Sequence, residues 1–403
     1  MKKYAPAILI VLLCFTSSIS SIAYAGKKKT LSQQTYKILM AAQESLEKGK
    51  AAKAISTLQE LLSKLQGKPY EQAIVLQSIS HAHISQENFS AAIPPLKRSI
   101  DIGALPDEPQ QQARFNLIRL YMAVENFPEA IDQLKAWLTQ VAVPQAEAYI
   151  MLATAHLQLE HYQEAIEPLR TAIKISEAPK ESWYQSLLGT YNELKQYNHC
   201  TVLLHTMLKL FPERAIYWRQ LAGIQLTDEK YSEALATMEL AYLRGHIKNE
   251  KELLNLAQLY LHLNAPYKAA TLLESEITQN HISKTEKNWE HIANAWLLAR
   301  EANKAVAALE KAKATLRNPQ LGLRLAQLYI ELRRWQEADK TLGAIINDGK
   351  LKAAEAGQAW ILLGIARHEA KSASKARIAF EQAAKYKKTA NSAKQWLAFL
   401  DQT

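Results

Sequence analysis

The chain has few cysteines, glycines and prolines, and each shortage excludes a class of fold. Only two of its 403 residues are cysteine, and just one of them, Cys200, follows the N-terminal 25 residues. A fold stabilised by internal disulfide bonds is therefore excluded for the chain after residue 25. Twelve glycines and 13 prolines are too few for an all-β chain with many turns. Because 48% of the residues are apolar, packing alone can still supply a sizeable core.

Long apolar runs are absent after the N-terminus. Two lysines precede the apolar stretch Ala7 to Phe15, and a small-residue motif ends at Ala25. This pattern predicts a signal peptide over 1–25, cleaved after Ala25, and then a basic linker over 26–34. Because the stretch is shorter than the roughly 20 residues of a membrane-spanning helix, we expect an exported, periplasmic protein. Three lysines just after the cleavage site leave an uncleaved anchor open, and membrane association is otherwise expected only through partners.

Charge is distributed unevenly along the chain. The net charge is +10, but residues 101–200 carry 13 acidic and 7 basic side chains. Residues 301–403 carry 18 basic and 10 acidic side chains, which could attract an acidic partner or simply form a solvated helix face. Export and the acidic second quarter together argue against nucleic acid as a partner.

A small residue recurs about every 35 residues, which indicates a helical repeat array. In nine of ten copies it is alanine, and a large apolar residue follows four positions later in every copy. The small anchors are Ala54, Ala92, Ala130, Ala165, Cys200, Ala234, Ala269, Ala305, Ala338 and Ala376.

Each copy reads as two helices joined by a short polar turn, as in WRQLAGIQLTDEKYSEALATMELA, which begins at Trp218. The first helix starts its apolar stripe with a bulky residue, here Trp218, and continues with Leu221 and Ala222. Intervals of three and four place these residues on one helix face. The small anchor of the second helix, here Ala234, lets the two backbones approach closely.

This pattern resembles the tetratricopeptide repeat family over residues 35–390. The resemblance implies an all-α fold, a right-handed superhelix of about ten helix-turn-helix repeats. Residues 391–403 are predicted to form a C-terminal capping helix, in which Trp396, Leu397 and Leu400 cover the last apolar face. Two central segments, Trp218 to Tyr242 and Leu253 to Glu274, are also similar to tetratricopeptide proteins described as putative components of TonB systems. That similarity implies a periplasmic accessory to the energy-transducing complex that drives uptake of iron carriers.

First helices of such arrays line a concave groove, so candidate binding residues follow the bulky residue by one or five positions. Apolar and amide side chains alternate there, which suits an extended peptide. Two arginines could each hold a carboxylate or could simply be solvated. Gly189 and Gly223 indicate either a close ligand backbone or a tight helix crossing. The candidate residues for peptide binding are Phe115, Arg119, Arg219, Gln258, Asn294 and Gln327.

Signatures of catalysis were sought in the sequence without success. No phosphate-binding glycine loop, HExxH, GxSxG or CxxC motif occurs. His199, Cys200 and His205 have a spacing that could bind a metal, but Cys200 occupies an anchor position, which favours a packed thiol. The sequence therefore predicts no enzyme, no cofactor and no metal. It predicts a scaffold that binds a protein or peptide segment, possibly a TonB-complex component; the alternative is a scaffold or regulator of cell-wall or outer-membrane assembly.

Overall fold

The computed structural model describes residues 30–313 and 319–402. The predicted signal peptide, its cleavage site and the first part of the predicted linker lie outside these residues. The described chain contains 21 α-helices and no strand, so the predicted all-α fold class is confirmed. No helix within these two ranges is long and apolar enough to cross a membrane.

The chain divides into two units, Met1–Leu203 and Leu204–Thr403, called unit 1 and unit 2 below. Unit 1 holds α1 to α9, and α10 (Tyr197–Leu210) spans the division. The helices of unit 1 are α1 (Gln33–Glu47), α2 (Ala51–Ser63), α3 (Pro69–Ile84), α4 (Phe89–Asp101), α5 (Asp107–Ala123), α6 (Phe127–Gln140), α7 (Ala146–Gln158), α8 (Tyr162–Ile175) and α9 (Glu181–Glu193).

Unit 2 continues the same alternation of first and second helices and ends in one extra helix. Its helices are α11 (Ala215–Thr227), α12 (Tyr231–Leu243), α13 (Glu250–His262), α14 (Pro266–Thr278), α15 (Glu286–Leu298), α16 (Ala302–Lys313), α17 (Pro319–Glu331), α18 (Trp335–Asn347), α19 (Ala353–Glu369), α20 (Ala373–Ala383) and α21 (Ala390–Leu400).

The ten small anchors are completely buried. All ten have a relative exposure of 0%, including Cys200 in place of alanine. First and second helices pack as hairpins, for example α3 with α4 in unit 1 and α15 with α16 in unit 2. A residue as large as leucine at an anchor would overpack this crossing.

The turn between the two helices of each repeat has one geometry throughout. In the sixth copy, Lys230 donates its backbone N–H to Gln225 O at 2.8 Å, and Glu229 donates to Leu226 O at 3.2 Å. These two bonds define a Schellman motif, in which the residue after the helix is left-handed. Glu229 accordingly has φ 58°. Each repeat has a left-handed residue five positions before its anchor, but only the first copy, at Gly49, uses glycine there.

The last helix packs onto the tenth repeat. The Trp396 ring of α21 stacks on the Phe380 ring of α20, with centroids 5.3 Å apart and planes 5° apart. Phe380 is fully buried and lies against Gly364 of α19, where a Cβ would come within 2.3 Å of its ring. Glycine at this position is thus required by packing.

Candidate functional site: the first-helix faces

The six candidate residues all lie on first helices. Phe115 and Arg119 belong to α5 in unit 1. In unit 2, one candidate lies on each of four successive first helices: Arg219 on α11, Gln258 on α13, Asn294 on α15 and Gln327 on α17. The structure shows direct contact between Phe115 and Arg119. We call the exposed sides of α1, α3, α5, α7 and α9 the first-helix face of unit 1, and those of α11, α13, α15, α17 and α19 that of unit 2.

Phe115 is more a core residue than a free groove residue. Its ring lies 4.8 Å from the Trp137 ring of α6, centroid to centroid. It packs against a cluster of buried side chains that includes Ile118, Leu134 and Leu152, so it joins α5 to α6 and α7. Trp137 is itself fixed, because its indole Nε1–H donates to Gln111 O at 3.2 Å.

Arg119 lies one helical turn after Phe115 and covers its ring. The guanidinium carbon is 4.8 Å from the ring centroid, a cation–π contact. Partial burial lowers the pKa of Arg119 from its ordinary value, although an arginine stays charged at physiological pH. The structure of residues 30–313 and 319–402 shows no carboxylate paired with Arg119. This guanidinium is therefore oriented by an aromatic platform and keeps its hydrogen-bond donors available.

Arg219 differs from Arg119 because its charge is already paired. Its Nη1 donates to Glu252 Oε1 at 3.0 Å. Glu252 is held in the first turn of α13, where its backbone N–H is capped by the Asn249 side chain at 3.0 Å. The ion pair joins α11 to α13, so Arg219 links neighbouring repeats rather than standing free in solvent.

Two further contacts of the same kind cross unit 2. Arg324 of α17 lies 3.5 Å from Glu290 of α15, and Gln320 of α17 donates to Glu355 of α19 at 2.8 Å. Sequence reasoning missed these links between first helices. The sequence signal for the ion pairs is a pair of opposite charges about one repeat apart. Rules that consider only neighbouring residues do not detect it.

The three amide candidates differ in exposure. Gln258 is exposed, whereas Asn294 and Gln327 are half-buried. Asn294 Oδ1 is buried and has no hydrogen-bond partner among the described residues. An unpaired buried acceptor costs about 1–3 kcal/mol, so a donor supplied by a ligand backbone or by water would be favourable there.

The two helical glycines of the first-helix faces face open space. A Cβ added at Gly189 or Gly223 would meet no heavy atom within 4 Å, and both residues are exposed. The expectation of a tight helix crossing at these two positions is therefore wrong. The other interpretation, a ligand backbone that approaches closely, stays a prediction.

Cys200 is packed rather than poised for metal binding. Its Sγ points at Leu188 O at 4.0 Å, and burial raises the pKa of the thiol to about 11. His199 stacks on the Tyr191 ring at 5.0 Å. Within the described ranges, no three His, Cys, Asp or Glu side chains are placed to hold a metal ion.

Comparison with known proteins identifies the repeat. Residues 115–181 and 323–393 match the family model described as tetratricopeptide repeat. No curated protein matches the chain. Among solved structures, a tetratricopeptide repeat protein from Parabacteroides merdae is 13% identical with a TM-score of 0.38; the match covers 74% of this chain and 100% of that one.

Two other solved structures are similar at the same level. The C-terminal part of a repeat-containing protein from Cytophaga hutchinsonii is 16% identical, with a TM-score of 0.37 and coverage of 70% of this chain and 97% of that one. YrrB, described as a tetratricopeptide protein with an unusual peptide-binding site, is 15% identical, with a TM-score of 0.35 and coverage of 45% and 89%.

The chain contains tetratricopeptide repeats, as the ten small anchors predict. Arrays of these repeats are protein-interaction scaffolds, and they bind peptide or protein partners on extended surfaces. They are generally non-enzymatic.

Proposed function

We propose that this protein is a non-enzymatic scaffold of the periplasm that binds a partner segment on its first-helix faces, as an accessory of a TonB-type uptake system. The periplasmic location is supported by the N-terminal sequence pattern that ends at Ala25. The TonB assignment is supported by the similarity of the two central segments, Trp218 to Tyr242 and Leu253 to Glu274, to proteins described as components of such systems.

The observation that carries the binding proposal is the Arg119–Phe115 pair of unit 1. Its guanidinium has no carboxylate partner among the described residues, although residues 101–200 hold an excess of acidic side chains. A guanidinium forms paired hydrogen bonds with a carboxylate, and its contact with a ring reduces the freedom lost on binding. We therefore assign Arg119 to an acidic group of the partner segment.

Replacing Arg119 by alanine tests this assignment. A hydrogen bond to a charged group contributes about 1.5–3 kcal/mol. Half-maximal recovery of the partner from a periplasmic extract should therefore need a concentration of the variant at least about tenfold higher than that of the unchanged protein. Arg170→Ala is the matched control, because Arg170 is an exposed arginine of unit 1 on the second helix α8, paired locally with Glu167 at 2.9 Å. Equal recovery with the two variants would contradict the role of Arg119.

Phe115→Ala is not an equivalent test, since it removes a ring packed between α5, α6 and α7. Truncating a buried phenylalanine costs about 3–5 kcal/mol, and this half-buried one should still lower the thermal midpoint measurably. Arg119→Ala should leave that midpoint nearly unchanged, because an exposed cation–π contact contributes about 0.5–1 kcal/mol.

Cross-linking in intact cells tests the proposed place of action. With a photo-reactive residue at Gln258, which is exposed on α13, iron-limited cells should yield a product with a component of the energy-transducing complex. Products with cell-wall synthases alone would instead support the alternative role in envelope assembly. A cytoplasmic protein, shown by fractionation, would end both versions of the proposal.

A further inference from the structure

A second open surface lies on the second-helix side of unit 2. Helices α14, α15 and α16 line a shallow trough of about 490 Å³ that is largely open to solvent. We call it the α14 trough. The residues that matter for its chemistry are Tyr267, Thr271, Ser275, Gln279, Trp296 and Lys304.

Trp296 belongs to the lining of the α14 trough and carries an unsatisfied donor. This side chain of α15 is 3% exposed, and its indole Nε1–H has no hydrogen-bond partner among the described residues. Leaving a buried donor unpaired costs free energy. An acceptor delivered to this edge of the ring would recover that free energy.

Lys304 covers Trp296 and is only weakly held. Its Nζ lies 4.3 Å from the centroid of the Trp296 ring and 4.8 Å from that of the Tyr267 ring. It donates to the Tyr267 hydroxyl at 3.3 Å, and the nearest carboxylate, that of Glu301, is 3.8 Å away. Such contacts at a half-exposed lysine are weaker than a charged hydrogen bond. A carboxylate entering the trough would therefore draw Lys304 off the ring and uncover the indole edge.

The remaining side chains of the trough favour an acceptor-rich ligand. Ser275 Oγ accepts from Gln279 Nε2 at 3.0 Å, so its own proton is available for donation. Thr271 already donates to Tyr267 O at 2.9 Å within α14. Glu274 also lines the trough, and its carboxylate is paired with Lys311 at 3.6 Å, so it repels an anion less.

The dimensions of the α14 trough select an extended segment. Its lining runs along α14 from Tyr267 to Gln279, which at 1.5 Å per residue is about 18 Å. An extended chain covers this length in about five residues. We propose that the α14 trough binds an extended peptide of about five residues with a carboxylate at Lys304, at a site separate from the first-helix faces.

The indole N–H resonance of Trp296 tests this directly. In full-length protein labelled with ¹⁵N at tryptophan, the signal is assigned by its loss in Trp296→Phe, one of eight tryptophans in the chain. The probe is the acetylated peptide Ala-Ser-Ala-Ser-Asp with a free C-terminus. Its titration should move this resonance downfield with saturation, and Lys304→Gln should weaken binding about tenfold, the loss of one charged hydrogen bond.

Controls separate this site from general charge effects. Lys251→Gln removes an exposed lysine of α13 outside the trough and should leave the affinity unchanged. The same peptide with Asn for Asp and a C-terminal amide should bind about tenfold more weakly or not at all. A Trp296 resonance that stays fixed at high peptide concentration would overturn the proposal, as would an equal response to acetate alone. Arg119→Ala should not alter this titration, so the trough can fail or succeed independently of the proposed function.

Discussion

Replacing Glu229 by glycine should stabilise the array, because the left-handed turn strains a residue that carries a Cβ atom. Glu229 has φ 58° and an exposed side chain. A residue with a Cβ pays about 1–2 kcal/mol in this conformation. Glycine loses about 0.5–1 kcal/mol more backbone entropy on folding. The difference leaves a net gain of about 0.5–1 kcal/mol for Glu229→Gly.

Both a global and a local measurement check this gain. The midpoint of chemical unfolding, followed by circular dichroism, should rise. Hydrogen exchange at the Lys230 amide, which donates to Gln225 O in the turn, should slow about two- to fivefold where local opening governs exchange. The local readout matters because a long repeat array does not unfold as one two-state unit.

The same chemical change inside a helix should have the opposite sign. Glu233 lies four residues later, in the first turn of α12, and is also exposed. Glu233→Gly should destabilise by about 1 kcal/mol, since glycine is a poor helix former and the acidic residue complements the helix dipole. If Glu229→Gly lowered the midpoint as Glu233→Gly does, the argument that the turn stores strain would be refuted.

Three further predictions follow from burial. Gly364→Ala should lower the free energy of unfolding by about 1–3 kcal/mol, because the added Cβ would lie 2.3 Å from the Phe380 ring. Gly223→Ala, where the Cβ meets open space, should be neutral or should stabilise by up to about 1 kcal/mol. Thermal unfolding of the two variants measures both effects. Burial, then the charge of Lys135, lowers the pKa of His156, so its folded state disfavours the protonated ring. His156 therefore stabilises the fold fully above the pKa of the unfolded state, about 6.5, and this stabilisation is lost as the pH falls toward the lower pKa of the folded state. The thermal unfolding midpoint should decline between pH 7 and pH 5, and it should decline less in His156→Gln. Cys200 is fully buried and its thiol pKa is raised to about 11, so native protein should resist alkylation at the Cys200 peptide in mass spectrometry, and denatured protein should not.

The repeat itself could be predicted from sequence because its signal is local and recurs. One small residue per copy, with a large apolar residue four positions later, specifies a helix crossing without any long-range information. All ten anchors found this way are fully buried, and Cys200 shows that size rather than identity matters at that position.

The turns could not be predicted in the same way. A glycine after a helix usually marks a left-handed helix end, yet only the first repeat, at Gly49, has glycine at this turn position. Glu125, Glu160 and Arg333 adopt the same conformation without glycine, and each makes the turn hydrogen bond of a Schellman motif. Charged residues at these turns carry no local signal for φ, so tertiary packing decides the backbone.

Peptide binding at the candidate residues stays a prediction, and the structure shows that the positions one and five after the bulky residue have different surroundings. Two side chains one position after the bulky residue connect neighbouring helices. Phe115 packs against Trp137, and Arg219 pairs with Glu252 on the next first helix. Spacing alone predicts both as binding residues. Their contacts involve residues 22 and 33 positions away, which local periodicity does not reveal.

Some of the positions five after the bulky residue are left open for a partner, whereas Asn294 and Gln327 at the same position are half-buried. Arg119 and Gln258 are exposed there, and Gly223 occupies the same position with open space around it. Since the array needs none of these side chains for the packing of its helices, they can vary without loss of the fold. A repeat protein must keep its anchors alike, so it can acquire partner specificity only at positions that the stacking does not use. Arg119, with its platform already built by Phe115, is therefore where recognition should be concentrated in unit 1.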